Sequence, residues 1–185
     1  MFFAITCPPA VSLEVVAWQK KLDRLHLPVE WREADKLHMT LAFLGNKVDS
    51  SELTPVRRAG FNAAATTPKF AMKLAFLETL YQRHEETLIY LAPQKSHELL
   101  QLQDTLSQGL NEIRLPQPRK FLPHVVIGKL KRTDPVTTKQ CINKISAVDF
   151  TPLEPFMVEK IDLYESHVTA RGSHYAKIGE FMLKS

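Results

Sequence analysis

The chain has 185 residues, of which 44 % are hydrophobic and 24 % are charged. This length and composition are typical of one globular domain with its own core, and they exclude disordered, collagen-like and low-complexity proteins. The net charge of +4 and the pI near 9.1 permit an anionic partner such as RNA. The excess is far below that of basic tails that bind nucleic acid without selectivity.

The N-terminal segment is apolar, but no basic stretch precedes it and Pro8-Pro9 interrupts it. It is also far too short to span a membrane. We therefore expect a first strand, in a cytoplasmic protein with no membrane association. The two cysteines, Cys7 and Cys141, have neither zinc-site spacing nor the pattern of a disulfide framework, and we expect buried free thiols.

The next elements follow from hydrophobic periodicity. Helical spacing predicts a helix between Ser12 and His26, and strict alternation predicts a strand from Lys36 to Leu44, which Gly45-Asn46 ends. A weaker helix starts near Asp49 or Ser50. Two strands follow at about 70–77 and 87–91.

The second half runs through the same kinds of element. Ser96 caps a predicted helix that extends to Ile113, and a strand is predicted from Phe121 to Leu130. Asp134-Pro135 is a favourable start for a helix at 136–147. Two final strands, at about 155–165 and 174–183, flank a turn at Arg171-Gly172.

The order helix, strand, helix, strand, strand therefore occurs twice. We predict a single domain over 1–185 with an internal repeat at approximately 12–92 and 96–183. The expected fold is α+β, with two pseudo-symmetric lobes of antiparallel sheet, helices outside and a central cleft. Each copy carries a histidine in its first strand, His38 or His124, so a twofold arrangement would bring both to the cleft.

Alternation along a strand decides what accompanies each histidine. His38 and Thr40 share one face, while apolar neighbours occupy the other. In the second copy His124 shares its face with Val126, so the hydroxyl is missing. The alternative is that each is a strand histidine whose ring is satisfied by a backbone carbonyl. Two histidines at matching places in a repeated pattern favour a functional pair.

Two segments resemble the signatures of a known family. Residues 37–45, LHMTLAFLG, resemble the first signature of the LigT-like 2H phosphoesterases, and residues 121–127, FLPHVVI, resemble the second. The similarity extends to Phe2-Phe3-Ala4-Ile5 at the start and to Tyr164 and Tyr175 near the end. Val126 departs from the pattern, which has Thr or Ser there.

This resemblance implies an RNA 2′,3′-cyclic phosphodiesterase with two catalytic histidines. His124 would activate water and His38 would protonate the departing ribose oxygen, which leaves a 2′-phosphate. Thr40 would bind the phosphate. We expect no metal and no cofactor, a partner that is RNA or a nucleotide with a 2′,3′-cyclic phosphate, and a monomer. The same histidines could also join RNA ends by a 2′–5′ bond.

One further substrate-binding candidate lies five residues after each histidine. Phe43 follows His38 and could stack on a base. Lys129 follows His124 and could neutralise phosphate charge. Strict alternation turns both away from the histidines, so their participation requires a bulge or a strand end. A core role for Phe43 and a solvated role for Lys129 remain open. Four basic residues around the second histidine strand could attract an RNA backbone or simply be solvated: Arg119, Lys120, Lys131 and Arg132.

Two alternative functions also remain open. Val126 could mark a nucleotide- or RNA-binding module of the same fold with weak or no catalysis. The chain could also act on other small cyclic phosphates or on 2′–5′ oligonucleotides, because the signatures specify the phosphate chemistry better than the attached base.

Overall fold

The computed structural model describes residues 1–45, 48, 52–81, 86–118, 120–169 and 172–185. Four sequence-based expectations lie outside these residues: the strand-ending Asn46, the helix start near Asp49 or Ser50, the basic Arg119 and the turn residue Arg171. The α-helices in the described ranges are α1 (Pro9–Asp23), α2 (Leu53–Thr66), α3 (His97–Glu112) and α4 (Pro135–Ser146).

Short and long strands alternate with these helices. They are β1 (Phe2–Thr6), β2 (Val29–Trp31), β3 (His38–Phe43), β4 (Phe70–Met72), β5 (Leu74–Leu80), β6 (Thr87–Pro93), β7 (Val125–Leu130), β8 (Phe156–Val158), β9 (Lys160–Thr169) and β10 (Gly172–Met182). The strands expected at 70–77 and 155–165 are each two strands, because β4 and β8 leave the main sheet to pair with each other. The sequence pattern did not predict β2.

Within the described residues the main sheet has the order β10-β9-β1-β3-β7-β6-β5, with β2 also paired to β7. All of these strand pairs are antiparallel. The predicted α+β class with antiparallel sheet is confirmed.

The two halves of the chain are interleaved in this sheet. The β5–β6 hairpin from the first half flanks β7, whereas the β9–β10 hairpin from the second half flanks β1. The histidine strands meet in the middle, where Met39 of β3 pairs with Val125 of β7. One continuous sheet therefore joins the two lobes.

The core lies between one face of the sheet and the helices. Its fully buried members include Phe3, Met39 and Ile127 from the sheet, and Val15 and Leu106 from α1 and α3. Burial of each such side chain stabilises the fold by roughly 1.5–3 kcal/mol and holds the sheet against the helices. The opposite face of the sheet, called the cleft face below, carries His38 and His124. Cys7 and Cys141 are both free and buried, as expected.

Three predicted boundaries are wrong for identifiable reasons. Helix α1 begins at Pro9 and not after Ser12, because proline is favourable at the first helical position. The strand around His124 begins at Val125 and not at Phe121, since Pro123 has no N–H for a ladder bond. Helix α1 ends at Asp23 and not at His26, because His26 has a φ of 51° that no helix accommodates. In the described parts of the chain, no helix has the length and apolar character needed to cross a membrane.

Candidate active site

The two histidines make the same local hydrogen bond. His38 Nδ1 lies 2.8 Å from the carbonyl oxygen of Lys36, and His124 Nδ1 lies 2.7 Å from that of Leu122. A carbonyl oxygen can only accept, so Nδ1 carries the proton in both rings. This bond fixes the same tautomer twice and leaves Nε2 of each ring as the atom that can exchange a proton.

The register between β3 and β7 places each histidine beside the other motif. Because Met39 pairs with Val125 in antiparallel fashion, continuing the register sets Thr40 opposite His124 and His38 opposite Val126. Thr40 and His124 accordingly line the same groove. The hydroxyl of the first motif thus lies opposite the histidine of the second, and the apolar Val126 lies opposite His38.

Aromatic rings surround His38. Phe2 stacks on its imidazole with ring centroids 5.0 Å apart, and Tyr175 meets it edge-on at 5.4 Å. Burial lowers the pKa of His38, and the positive charges of Arg32 and His124 lower it further, against the opposing effect of the Lys36 carbonyl. The lowered pKa favours the neutral form of His38 at pH 7.

His124 has a different neighbour, Tyr90 of β6, which meets its ring edge-on with centroids 5.5 Å apart. The Tyr90 hydroxyl donates to Glu78 Oε2 at 2.7 Å. Burial and this carboxylate raise the pKa of Tyr90 to about 12, so the phenol stays neutral. The hydrogen bond holds the ring that positions His124.

Each histidine strand has a bulge three residues after its histidine. In β3 the partners of Phe3 and Ala4 are Ala42 and Thr40, so Leu41 is the additional residue. In β7 the partners of Ile89 and Tyr90 are Gly128 and Val126, so the additional residue is Ile127. A bulge shifts the alternation by one residue. Every side chain beyond it changes face.

The bulges bring both remaining candidates to the cleft face. Phe43 pairs with Phe2, which stacks on His38, so Phe43 shares their face. Lys129 pairs with Leu88, two residues from Tyr90 on the same face of β6. Participation of Phe43 and Lys129 requires a bulge in each strand, and both strands have one.

Phe43 lies in an open groove of about 270 Å³ beside His124. Its side chain is 56 % exposed, and the neighbouring Leu122 is 41 % exposed. Thr40 and Gln117 also line this groove. A flat, apolar ring next to a hydroxyl and a histidine is a suitable surface for a nucleoside phosphate.

The candidate cations differ in their surroundings. Lys129 Nζ lies 3.1 Å from Glu86 Oε2, so its charge is already paired. Lys120 lines the groove next to Phe43. Lys131 and Arg132 line a separate hollow near α4. Among the described residues, no cluster of three or more His, Cys, Asp or Glu side chains could hold a metal ion.

Sequence reasoning missed four side chains of this site: Phe2, Arg32, Tyr90 and Tyr175. Phe2 and Tyr175 lie in the terminal segments that resemble the phosphoesterase family, so a signal existed without a role attached to it. Tyr90 and Arg32 reach the site only through pairing of β6 and β2 with β7. No spacing along the chain indicates that pairing.

The chain is similar in sequence to one known family and to two named proteins. The family described as the 2'-5' RNA ligase superfamily matches residues 7–170. A Thermotoga maritima protein named RNA 2',3'-cyclic phosphodiesterase is 24 % identical over 179 residues, which cover 97 % of this chain and 92 % of that protein. An Aquifex aeolicus protein of the same name is 27 % identical, with coverage of 92 % and 90 %.

Solved structures share the fold. The apo structure of E. coli LigT superimposes with a TM-score of 0.77 at 22 % identity, covering 100 % of this chain and 96 % of that one. The E. coli LigT structure complexed with 3'-AMP gives 0.75 at 24 % identity, with coverage of 100 % and 97 %. TT0787 of Thermus thermophilus gives 0.75 at 23 %, with coverage of 99 % and 97 %.

Proposed function

The chain belongs to the 2'-5' RNA ligase superfamily, and from this membership we propose that it is an RNA 2′,3′-cyclic phosphodiesterase. The superfamily membership confirms the resemblance noted in the two histidine signatures. Two relatives carry that activity in their names, and E. coli LigT has been solved with 3'-AMP and with NADP+. The observation that carries the proposal is the pair of histidines with matching Nδ1 bonds on one face of the paired strands β3 and β7.

The proposed reaction needs one base and one acid. The oxygen of a water molecule attacks phosphorus, and the bond from phosphorus to the ribose O3′ breaks. One histidine takes the proton from water while the other gives a proton to O3′. The product is a 2′-phosphomonoester with a free 3′-hydroxyl, and the two histidines exchange protonation states.

The surroundings of the two rings support an assignment opposite to the one implied by the family resemblance. His38 is packed by Phe2 and Tyr175 and is neutral at pH 7, which suits the base. His124 borders the groove that contains Phe43. A nucleoside in that groove carries its departing O3′ next to His124. We therefore propose that His38 activates water and His124 protonates the ribose.

A substrate with sulfur in place of O3′ tests this assignment. A thiolate leaves without protonation, so the acid becomes dispensable and the base does not. We expect the His124→Asn variant to recover activity on the 3′-thio substrate and the His38→Asn variant to remain inactive. Asparagine can keep the Nδ1 type of hydrogen bond to the carbonyl, which preserves the local structure. Recovery by His38→Asn alone would reverse the roles.

The remaining residues would hold the substrate. Thr40, opposite His124, would donate its hydroxyl to a nonbridging phosphate oxygen. Phe43 would stack on the terminal base. Lys129 lies on the same face but is paired with Glu86, so it would meet the RNA backbone only by exchanging that partner.

The decisive experiment uses an oligoribonucleotide that ends in a 2′,3′-cyclic phosphate, incubated with the protein and a chelator. We expect a 2′-phosphate product, identified by phosphorus NMR and mass spectrometry. A preparation of the His38→Asn, His124→Asn double variant, purified identically, excludes a contaminating nuclease. A 3′-phosphate product would overturn the leaving-group assignment.

Absence of turnover over the full pH range would favour the alternative, a nucleotide- or RNA-binding module. Val126 motivates that alternative, because it removes one neutral hydrogen bond to the phosphate, worth roughly 0.5–1.5 kcal/mol. For joining RNA ends, a 5′-hydroxyl replaces water as the attacking group and a 2′–5′ bond forms. We propose the same two histidines for this step, and incubation with a 5′-hydroxyl RNA tests it.

A further inference from the structure

Arg32 is held against β7 next to the bulge. Its N–H donates to the carbonyl oxygen of Ile127 at 2.9 Å. The Gln19 side chain from α1 is buried and donates to the carbonyl oxygens of both Arg32 and Ile127, at 2.8 Å each. A buried amide that donates to both carbonyls fixes the backbone of Arg32 beside Ile127, the residue that follows Val126.

The neighbouring residue indicates the direction of the Arg32 side chain. Trp31 turns toward the helices, where its Nε1 donates to Asp23 Oδ1 at the end of α1. The next side chain along an extended segment points the opposite way, toward the cleft face. The positive charge of Arg32 accordingly reaches His38 and lowers its pKa.

Its electrostatic effect distinguishes Arg32 from the cation expected from the sequence. The charges of Arg32 and His124 both act on His38, whereas Lys129 is bonded to Glu86. A phosphate that reacts between the two histidines would therefore also interact with the positive charge of Arg32. A guanidinium also carries several N–H donors, so it can bind phosphate oxygens while it keeps a contact within the protein.

Three other charged or titratable side chains lie near His38. Asp35, Lys36 and the exposed His174 line a small hollow together with His38. Lys36 is bonded there to Glu33, with Nζ and Oε2 2.7 Å apart. These groups therefore contribute a mixed set of charges near His38, in a hollow that neither Arg32 nor Val126 lines.

We propose that Arg32 is a phosphate-binding residue of this site, and that it compensates for the hydroxyl that Val126 lacks. Val126 lies opposite His38, so the phosphate oxygen that a hydroxyl would bind there lies within the same corner as Arg32. An arginine fork binds two oxygens of a phosphate with charge-assisted hydrogen bonds. The inference rests on the proposed function and adds to it the group that neutralises the phosphate.

Two measurements on Arg32→Gln test the inference. The first is hydrolysis of a 2′,3′-cyclic nucleotide, where we expect kcat/KM to fall about 10- to 100-fold, as for loss of a charge-assisted hydrogen bond. The second is the pH profile, whose acid limb should move to higher pH because a positive charge near His38 is removed. Arg58→Gln, on the exposed surface of α2, is the matched control and should change neither.

A double-variant cycle tests the compensation itself. If Arg32 and a hydroxyl at position 126 serve the same phosphate oxygen, Val126→Thr will restore part of the loss in Arg32→Gln and will add little to the wild type. Arg32→Lys, which keeps the charge but not the fork, should retain intermediate activity. Equal kinetics of Arg32→Gln and Arg58→Gln would overturn the inference while leaving the phosphodiesterase intact.

A binding measurement separates this inference from the proposed function. Inorganic phosphate is titrated into the wild type and followed through the imidazole proton signals in NMR spectra. Weaker binding in Arg32→Gln, with no change in Arg58→Gln, supports the assignment even for a protein that does not turn over. Equal phosphate affinity in all three proteins contradicts it.

Discussion

Phe2 stacks on His38, with ring centroids 5.0 Å apart and planes inclined by 29°. The first strand of the chain thus covers one face of a catalytic candidate. Tyr175 of β10 covers its edge. Burial between them makes the charged imidazolium unfavourable, so the pKa of His38 is lowered. The proposed base is thereby kept ready at neutral pH.

This lowered pKa predicts how stability depends on pH. The unfolded chain protonates His38 near its ordinary value of about 6.5, whereas the folded protein resists protonation. The unfolded state therefore binds more protons below that pH, and the free energy of unfolding falls as the pH drops from 7 toward 5. We expect His38→Asn to reduce this decrease. Urea denaturation of both proteins at pH 7 and 5 measures the free energy of unfolding. An identical decrease in the two proteins would contradict the prediction.

Removing either histidine should stop catalysis without unfolding the protein. A positioned acid or base contributes about 10²–10⁴ in rate, so we expect His38→Ala and His124→Ala each to lose at least that factor in kcat. Both side chains are only partly buried, and their circular dichroism spectra should match the wild type. A fully active His124→Ala protein would exclude the paired mechanism.

The two motif positions two residues after each histidine should respond in opposite directions. Thr40→Val removes the hydroxyl opposite His124 and should lower kcat/KM by about 2- to 10-fold or more, as for loss of one hydrogen bond. Val126→Thr adds a hydroxyl opposite His38, where we expect at most a small gain because Arg32 already serves that corner. Steady-state kinetics on one cyclic nucleotide compare the two. A large gain from Val126→Thr would show that the phosphate is under-bound in the wild type.

The fold class follows from the sequence because its helices and strands have clear periodicity. The strands that the sequence did not separate, β4 and β8, are short pieces defined by pairing with each other. Such pairing depends on distant residues. Likewise, alternation alone turns Phe43 and Lys129 away from the cleft, and only the register of β1 and β6 reveals the bulges at Leu41 and Ile127.

Part of the candidate site is likewise predictable from the sequence. His38, Thr40 and His124 are recognisable in short signatures. Arg32 carries no signature, since its place depends on β2 pairing with β7 and on one buried glutamine. The internal repeat, approximately 12–92 and 96–183, stays a prediction, as do the monomeric state and the cytoplasmic location.

Phe43 offers the sharpest test of base recognition. Its ring is 56 % exposed in the groove beside His124, so Phe43→Ala should leave stability almost unchanged. Stacking of a base on an aromatic ring contributes about 1–3 kcal/mol, and its loss should raise KM for a cyclic nucleotide by about 5- to 150-fold with a smaller change in kcat. Phe61→Ala is the matched control, because Phe61 is 62 % exposed on α2. An unchanged KM in Phe43→Ala would show that the base binds elsewhere, whereas an equal rise in both variants would indicate a general structural effect.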